Sequence, residues 1–247
     1  MSLSKRLLHS IGPDSISALS LIAIAAIALL LWWQAPALAK SSVGVPPAKV
    51  SLKNPGHGPQ TAVLAGGCFW GMELVFSHVQ GVTDVVSGYA GGSAATANYA
   101  ASSSGLTDQA ESVRITYDPG RISYTGLLRI YFSVAHDPTQ VNRQGPDVGR
   151  EYRSEIFALD ADQARVAHAY IDQLDRAGIF DAPVATKVSR LDDSGFHPAE
   201  AYHQDYAAHH PSSLYIRIND MPKLAALKTR FPQRYRDDRA ARPTASL

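Results

Sequence analysis

The chain has 247 residues, 45% of them hydrophobic and 18% charged, enough for one globular domain of ordinary size with extra segments at its ends. Lys and Arg number 23 against 22 Asp and Glu, so no positive excess exists to hold a phosphate backbone, and nucleic acid is not expected as a partner. A single cysteine, Cys68, excludes an intramolecular disulfide and a Cys-rich metal site.

Lys5 and Arg6 precede an 18-residue apolar run from Ile16 to Trp33, and Ala37-Leu38-Ala39 follows. A basic start, an apolar core and an A-x-A site predict export, with residues 1–40 as signal peptide or membrane anchor. The run is just long enough to span a bilayer, with Trp32 and Trp33 as interfacial anchors, so cleavage and inner-membrane tethering through residues 16–33 both remain open. The expected compartment is the periplasm. Residues 41–60 are rich in Ser, Pro and Gly without a sustained period and read as a flexible linker.

The folded domain is expected over residues 61–236, and it begins with its most informative stretch. Ala62-Val63-Leu64-Ala65 is a buried-strand run closed by Gly66-Gly67. Beyond it Met72, Val75, Phe76 and Val79 fall on one helical face, with Glu73, Ser77 and His78 mostly on the other. Cys68 thus lies at a strand-to-helix junction, where free N–H groups and the helix dipole favour a thiolate. Such placement can lower a thiol pKa from about 8.5 into the neutral range.

Val82 to Tyr89 reads as a second strand and residues 90–106 as a long loop, a length that is often functional. In Glu111 to Tyr117, residues Glu111, Val113, Ile115 and Tyr117 share one face. Glu111 therefore stands at the mouth of an apolar face, where desolvation raises a carboxyl pKa towards that of a general acid; a solvated strand end is the alternative. Ser123 caps a helix with a stripe of Leu127, Leu128, Tyr131 and Val134. Residues 139–150 form a polar loop carrying Asp147, Tyr152 to Leu159 a strand, and Asp160 caps a helix to about Ala177. A strand over 183–190, a helix over 198–209 and a short helix from Met221 complete an α+β domain with a mixed sheet. Residues 237–247 read as a disordered tail. Glu200-x-x-His203 is a weak metal pattern, because no second copy accompanies it.

Gly67-Cys68-Phe69-Trp70-Gly71, Ser87-Gly88-Tyr89-Ala90-Gly91-Gly92, Ala110-Glu111, Asp147-x-Gly149, Tyr152-Arg153-Ser154 and Glu200-x-Tyr202-His203-Gln204 together resemble the peptide methionine sulfoxide reductase A family. The resemblance implies a ferredoxin-like two-layer sandwich and a peptide-methionine (S)-S-oxide reductase that repairs oxidised proteins and free methionine sulfoxide. It implies Cys68 as nucleophile and Glu111 as proton donor. Phe69 and Trp70 match the pocket for the sulfoxide methyl group, Tyr89 and Tyr152 the phenols that bond its oxygen, and Asp147 a carboxylate of the same site. No bound metal or cofactor is implied. The chain departs from the family in two places: Asp108-Gln109 stands where most relatives read Gly-His, and the resolving cysteines many relatives carry near the C-terminus are missing. A sulfenic acid on Cys68 then needs an external reductant, a thioredoxin-like protein or a small thiol. The chain is expected to be a monomer. Two other readings remain: a thiol peroxidase, which would have no use for the Phe69-Trp70 pocket, and a non-catalytic module that binds oxidised peptides.

Overall fold

The computed structural model describes residues 44–53, 58–191 and 195–240. The expected export segment lies outside the described residues, as do residues 54–57 and the last seven of the tail. Strand β1 (Gln60–Gly66) leads into helix α1 (Phe69–Ser77), and strand β2 (Val82–Ala90) follows. After α2 (Tyr99–Ser102) come strand β3 (Ala110–Tyr117), helix α3 (Tyr124–Ile130) and a small hairpin of β4 (Arg143–Gln144) and β5 (Asp147–Val148). Next are β6 (Ser154–Ala158), α4 (Ala161–Arg176), β7 (Lys187–Arg190), β8 (Phe196–Pro198), α5 (Tyr206–His209) and α6 (Met221–Arg230).

Six strands form one mixed sheet in the order β7-β6-β1-β3-β2-β8, with only β6 and β7 parallel. Alternation along the strands decides which layer each residue joins. Leu64, Tyr89, Val113, Ile115 and Ile156 enter the main core with α1, α3 and α4, whereas Val63, Ala65, Ala90, Ala110 and Phe157 pack on the opposite face with Leu191 and Phe196. The β2–β3 register sets Tyr89 directly opposite Glu111, so two polar side chains emerge side by side near one end of an apolar face.

The caps fall where the side chains dictate. Ser123 accepts from the Gly126 N–H, Asp160 from Gln163 and Asn98 from Ala101, each satisfying an N–H the helix cannot bond internally. The long loop after β2 thus holds a capped turn, α2, that composition alone conceals.

Four expectations are corrected. Helix α1 is buried on every side rather than amphipathic: Glu73 and Ser77 are buried too, and Glu73 accepts from the Ser87 hydroxyl and the Asp205 N–H. The expected helix over 198–209 is instead β8, a single 3-10 turn (Ala201–His203) and α5. Asp205, with φ +55°, breaks the run, and Gln204 donates to Ser87 O and Ala199 O, holding the segment to the sheet edge. Residues 44–53, read as a tether, are pinned to the helices. Val45 is fully buried and its carbonyl accepts from Arg129; Tyr170 donates to Pro46 O; the Lys49 and Lys53 N–H groups reach Gln173 and Asp162. At the other end Lys228 pairs with Asp237 and the Ala240 N–H reaches Ser77 O, so residues 237–240 are ordered against the domain.

Candidate active site

Cys68 is the N-cap residue of α1 and is 7% exposed. Gly67 before it has φ +88°, and a Cβ there would lie 2.5 Å from two carbons of Gln144. Only glycine satisfies both the left-handed backbone and the close approach of the β4–β5 hairpin. Gln144 is fixed in turn: it accepts from the Asp137 N–H and donates to the Asp137 carbonyl. That contact brings the hairpin, and with it Asp147, against the start of α1.

Glu111 arrives from β3. Its Oε2 accepts from the Phe69 N–H at 3.0 Å, and the carboxyl and the Cys68 thiol lie close enough to act on each other's acidity. Burial pushes Glu111 up to about 8, with the Asp147 and Glu151 carboxylates adding to the rise and the Phe69 N–H opposing it. At neutral pH it is mostly a neutral acid. Cys68 corrects the sequence expectation. Burial pushes the thiol well above its usual range, and Glu111, Asp220 and Asp147 push it further; the Trp70 N–H alone among the leading influences pulls it down. A helix start does stabilise a thiolate, but only where solvent or cations accompany it. Here the sulfur is enclosed and faces carboxyl groups, so desolvation and like charge prevail.

The aromatic residues form a wall beside the sulfur. Trp70 stacks on Tyr206 with centroids 3.7 Å apart and planes 7° from parallel, and meets Tyr215 edge-on. Its indole N–H donates to His203 Nδ1 at 3.2 Å. An indole nitrogen can only donate, and burial lowers the pKa of His203, so the ring is neutral with its proton on Nε2. Phe69 packs on His203 and Tyr89 at centroid distances of 5.0 and 5.8 Å.

Tyr89 is fully buried and its hydroxyl donates to Glu200 Oε2 at 3.0 Å, while Glu200 Oε1 takes the Tyr99 N–H. Glu200 and His203 therefore brace the Tyr89 and Trp70 side chains. Asp147 accepts from the Tyr215 hydroxyl. Tyr152 lies in a 3-10 turn (Arg150–Tyr152) ahead of β6 rather than within the strand, and its phenol interacts with Glu111 and Cys68. Arg153 locks this corner, donating to the Asp108, Gln109 and Arg150 carbonyls and pairing with Glu155 at 2.6 Å. Gln109, the departure before the acid, spends its amide on Ser93 O at 2.8 Å and Thr96 Oγ1 at 3.2 Å, tying down the loop after β2.

All seven residues singled out in the sequence thus border one small region. The brace of Glu200, His203 and Tyr206 was visible as an i, i+3, i+6 spacing, though Asp205 makes its geometry non-helical. Nothing in the local pattern announced Tyr215, Asp220 or Lys223, which reach the site from the C-terminal turn.

The model of the family described as peptide methionine sulfoxide reductase matches residues 60–235. Peptide methionine sulfoxide reductase MsrA 2 of Synechocystis sp. is 54% identical over 181 residues, 73% of this chain and 82% of the relative. MsrA of Chromobacterium violaceum is 47% identical over 172 residues, 70% and 96% of the two chains. Among solved structures, methionine sulfoxide reductase A of Corynebacterium diphtheriae aligns with a TM-score of 0.56 at 30% identity, covering 72% of this chain and 93% of that one. Reduced Mxr1 of Saccharomyces cerevisiae aligns at 0.55 and 30%, covering 66% and 93%.

Proposed function

The chain belongs to the peptide methionine sulfoxide reductase A family and is a peptide methionine sulfoxide reductase, and we propose how its residues perform the reaction. The observation that carries the assignment is that the buried Cys68 and the buried Glu111 carboxyl meet at the first residues of α1, where burial raises the carboxyl so that it holds its proton near neutral pH. Two protons therefore stand beside the sulfur. The Cys68 sulfur bonds to the sulfoxide sulfur while its own proton and that of Glu111 pass to the sulfoxide oxygen, which leaves as water. Water then adds to the Cys68 sulfur, the sulfur–sulfur bond breaks, methionine departs, and one proton returns to Glu111. The methionine sulfur gains two electrons and Cys68 loses two, ending as a sulfenic acid.

Phe69 and Trp70 receive the methyl group on sulfur. A methyl pocket on one side and proton donors on the other accept one arrangement of substituents around sulfur, which supports selectivity for the S epimer. Tyr152 and Tyr89 supply phenolic protons to the developing oxyanion, Tyr89 after exchanging its Glu200 partner. Asp147, bonded to Tyr215, orders the pocket wall.

With Cys68 the one cysteine of the chain, the sulfenic acid is reset from outside. A first thiol displaces the hydroxyl as water to give a mixed disulfide, and a second thiol releases Cys68 and an external disulfide. A thioredoxin-like protein or a small thiol meets this need. The four strands β6-β1-β3-β2, antiparallel throughout and linked in ferredoxin-like order, support the two-layer sandwich. The basic start and apolar run ahead of residue 40 support export to the periplasm, cleaved or membrane-tethered, as the setting.

Multiple turnover on separate S and R epimers of a peptidyl methionine sulfoxide, with dithiothreitol as donor, tests the proposal. Consumption of the S epimer only, abolished in Cys68→Ser, supports it; equal consumption of both epimers removes the methyl-pocket assignment.

A further inference from the structure

Asp220 closes the turn before α6 and has no solvent exposure. Its Oδ1 accepts from Lys223 Nζ at 3.2 Å, while Oδ2 is buried without a hydrogen-bond partner. A Cβ on Gly71 would lie 2.1 Å from Asp220 Oδ1 and 2.8 Å from Lys223 Nζ. The carboxylate and its ammonium partner therefore rest on the backbone of the first turn of α1, three residues beyond Cys68. Gly71 has ordinary helical dihedrals, so it is the approach of this pair, not the backbone, that requires glycine.

Helix starts attract anions. The usual beneficiary at this helix would be the Cys68 sulfur, yet a fixed carboxylate is already seated in the first turn. The groups acting on Cys68 are Glu111 from β3, Asp147 from β5, Asp220, the Tyr152 and Tyr215 phenols and the Trp70 N–H. Burial and Asp147 raise the Asp220 carboxyl above its usual range, and Lys223 from α6, by charge and hydrogen bond, opposes them and favours the carboxylate; the Tyr215 phenol also faces it.

We propose that Asp220, braced by Lys223 against Gly71, is a positioning residue of the reductase. Its fixed negative charge occupies the positive end of α1 and sets how readily Cys68 gives up its proton. Lys223 moderates that charge, so the two side chains act in opposite senses on one thiol. The proposal rests on Cys68 as the nucleophile, but its test does not require sulfoxide chemistry.

The rate at which iodoacetamide alkylates Cys68, measured against pH on the full chain, reads the thiolate directly, since no other cysteine competes. Asp220→Asn should move the midpoint to lower pH and alkylate at least about threefold faster at neutral pH. Lys223→Met, which leaves the carboxylate uncompensated, should move it to higher pH and slow the reaction. Unchanged midpoints, or shifts of both variants in the same direction as general loosening would give, overturn the proposal. Should Asp220→Asn fail to fold, Lys223→Met decides alone, an unchanged or faster rate counting against it. Opposite shifts in protein that releases no methionine from sulfoxide would uphold the Asp220 role while removing the reductase mechanism.

Discussion

Replacing Glu111 with Gln separates the chemical role of the carboxyl from its structural one. The amide keeps the shape and can still accept the Phe69 N–H, which now reaches the carboxyl at 3.0 Å, but it gives up no proton. Loss of a positioned proton donor typically costs about 10²- to 10⁴-fold, roughly 3 to 5 kcal/mol of barrier. Stability should move the other way. Folding raises Glu111 from 4.5 to about 8, so the stability linked to its proton is fully present below pH 4.5 and is lost as pH rises through about 8. At one pKa unit per 1.4 kcal/mol, that loss is on the order of 4 kcal/mol across the window, an upper figure because water and side-chain shifts relieve it. Gln cannot ionise and escapes the loss. Single-turnover methionine release, together with denaturant unfolding at pH 5 and pH 8, tests both halves. The variant should be nearly inactive at both pH values, as stable as the wild type at pH 5 and more stable at pH 8. The wild-type rate should fall as pH rises above about 8. A variant that retains the wild-type rate would remove Glu111 as the proton donor, and one no more stable at pH 8 than at pH 5 relative to wild type would remove its raised pKa.

Trp70→Ala should lower kcat/KM for the sulfoxide by about 10- to 100-fold, the span of a lost apolar contact, while iodoacetamide still alkylates Cys68 at close to the wild-type rate; equal loss in both assays would make Trp70 a mere support for the helix start. Tyr152→Phe should slow single-turnover reduction by about 10- to 100-fold without changing thermal stability by more than a few degrees, as expected for one donor to a developing oxyanion. Val45→Ala should destabilise the domain by about 2 kcal/mol through lost burial and a cavity, read by denaturant unfolding, although Val45 lies before the span matched by the family. A change under about 0.5 kcal/mol would mean that residues 44–53 detach readily.

Where the sequence carried a clear period or punctuation, it was legible. The alternation of Glu111, Val113, Ile115 and Tyr117 gave β3 its face, and Ser123 and Asp160 marked helix starts because their caps are local chemistry. Gly66-Gly67 pointed to the turn that seats Cys68. What local pattern could not reveal was decided by long-range contact. Glu73 reads as a surface residue until Ser87 and the Asp205 backbone, distant in the chain, come to satisfy it. Residues 44–53 carry two prolines and show no sustained period, yet Val45 is fully buried in the main core. The acidity of Cys68 was misjudged for the same reason. The helix start is local and favours a thiolate, whereas the enclosure and the Asp220 carboxylate come from segments far along the chain.

Sulfoxide reduction oxidises Cys68 itself, and intact-protein mass spectrometry after one turnover reads that oxidation without any coupling step. Reduced protein mixed with a stoichiometric amount of the S epimer, with no thiol donor present, should release one equivalent of methionine and gain a single oxygen atom located on Cys68 by fragmentation. Release of methionine with Cys68 left as a free thiol would contradict the account, as would failure to release any from protein whose Cys68 is shown to be reduced.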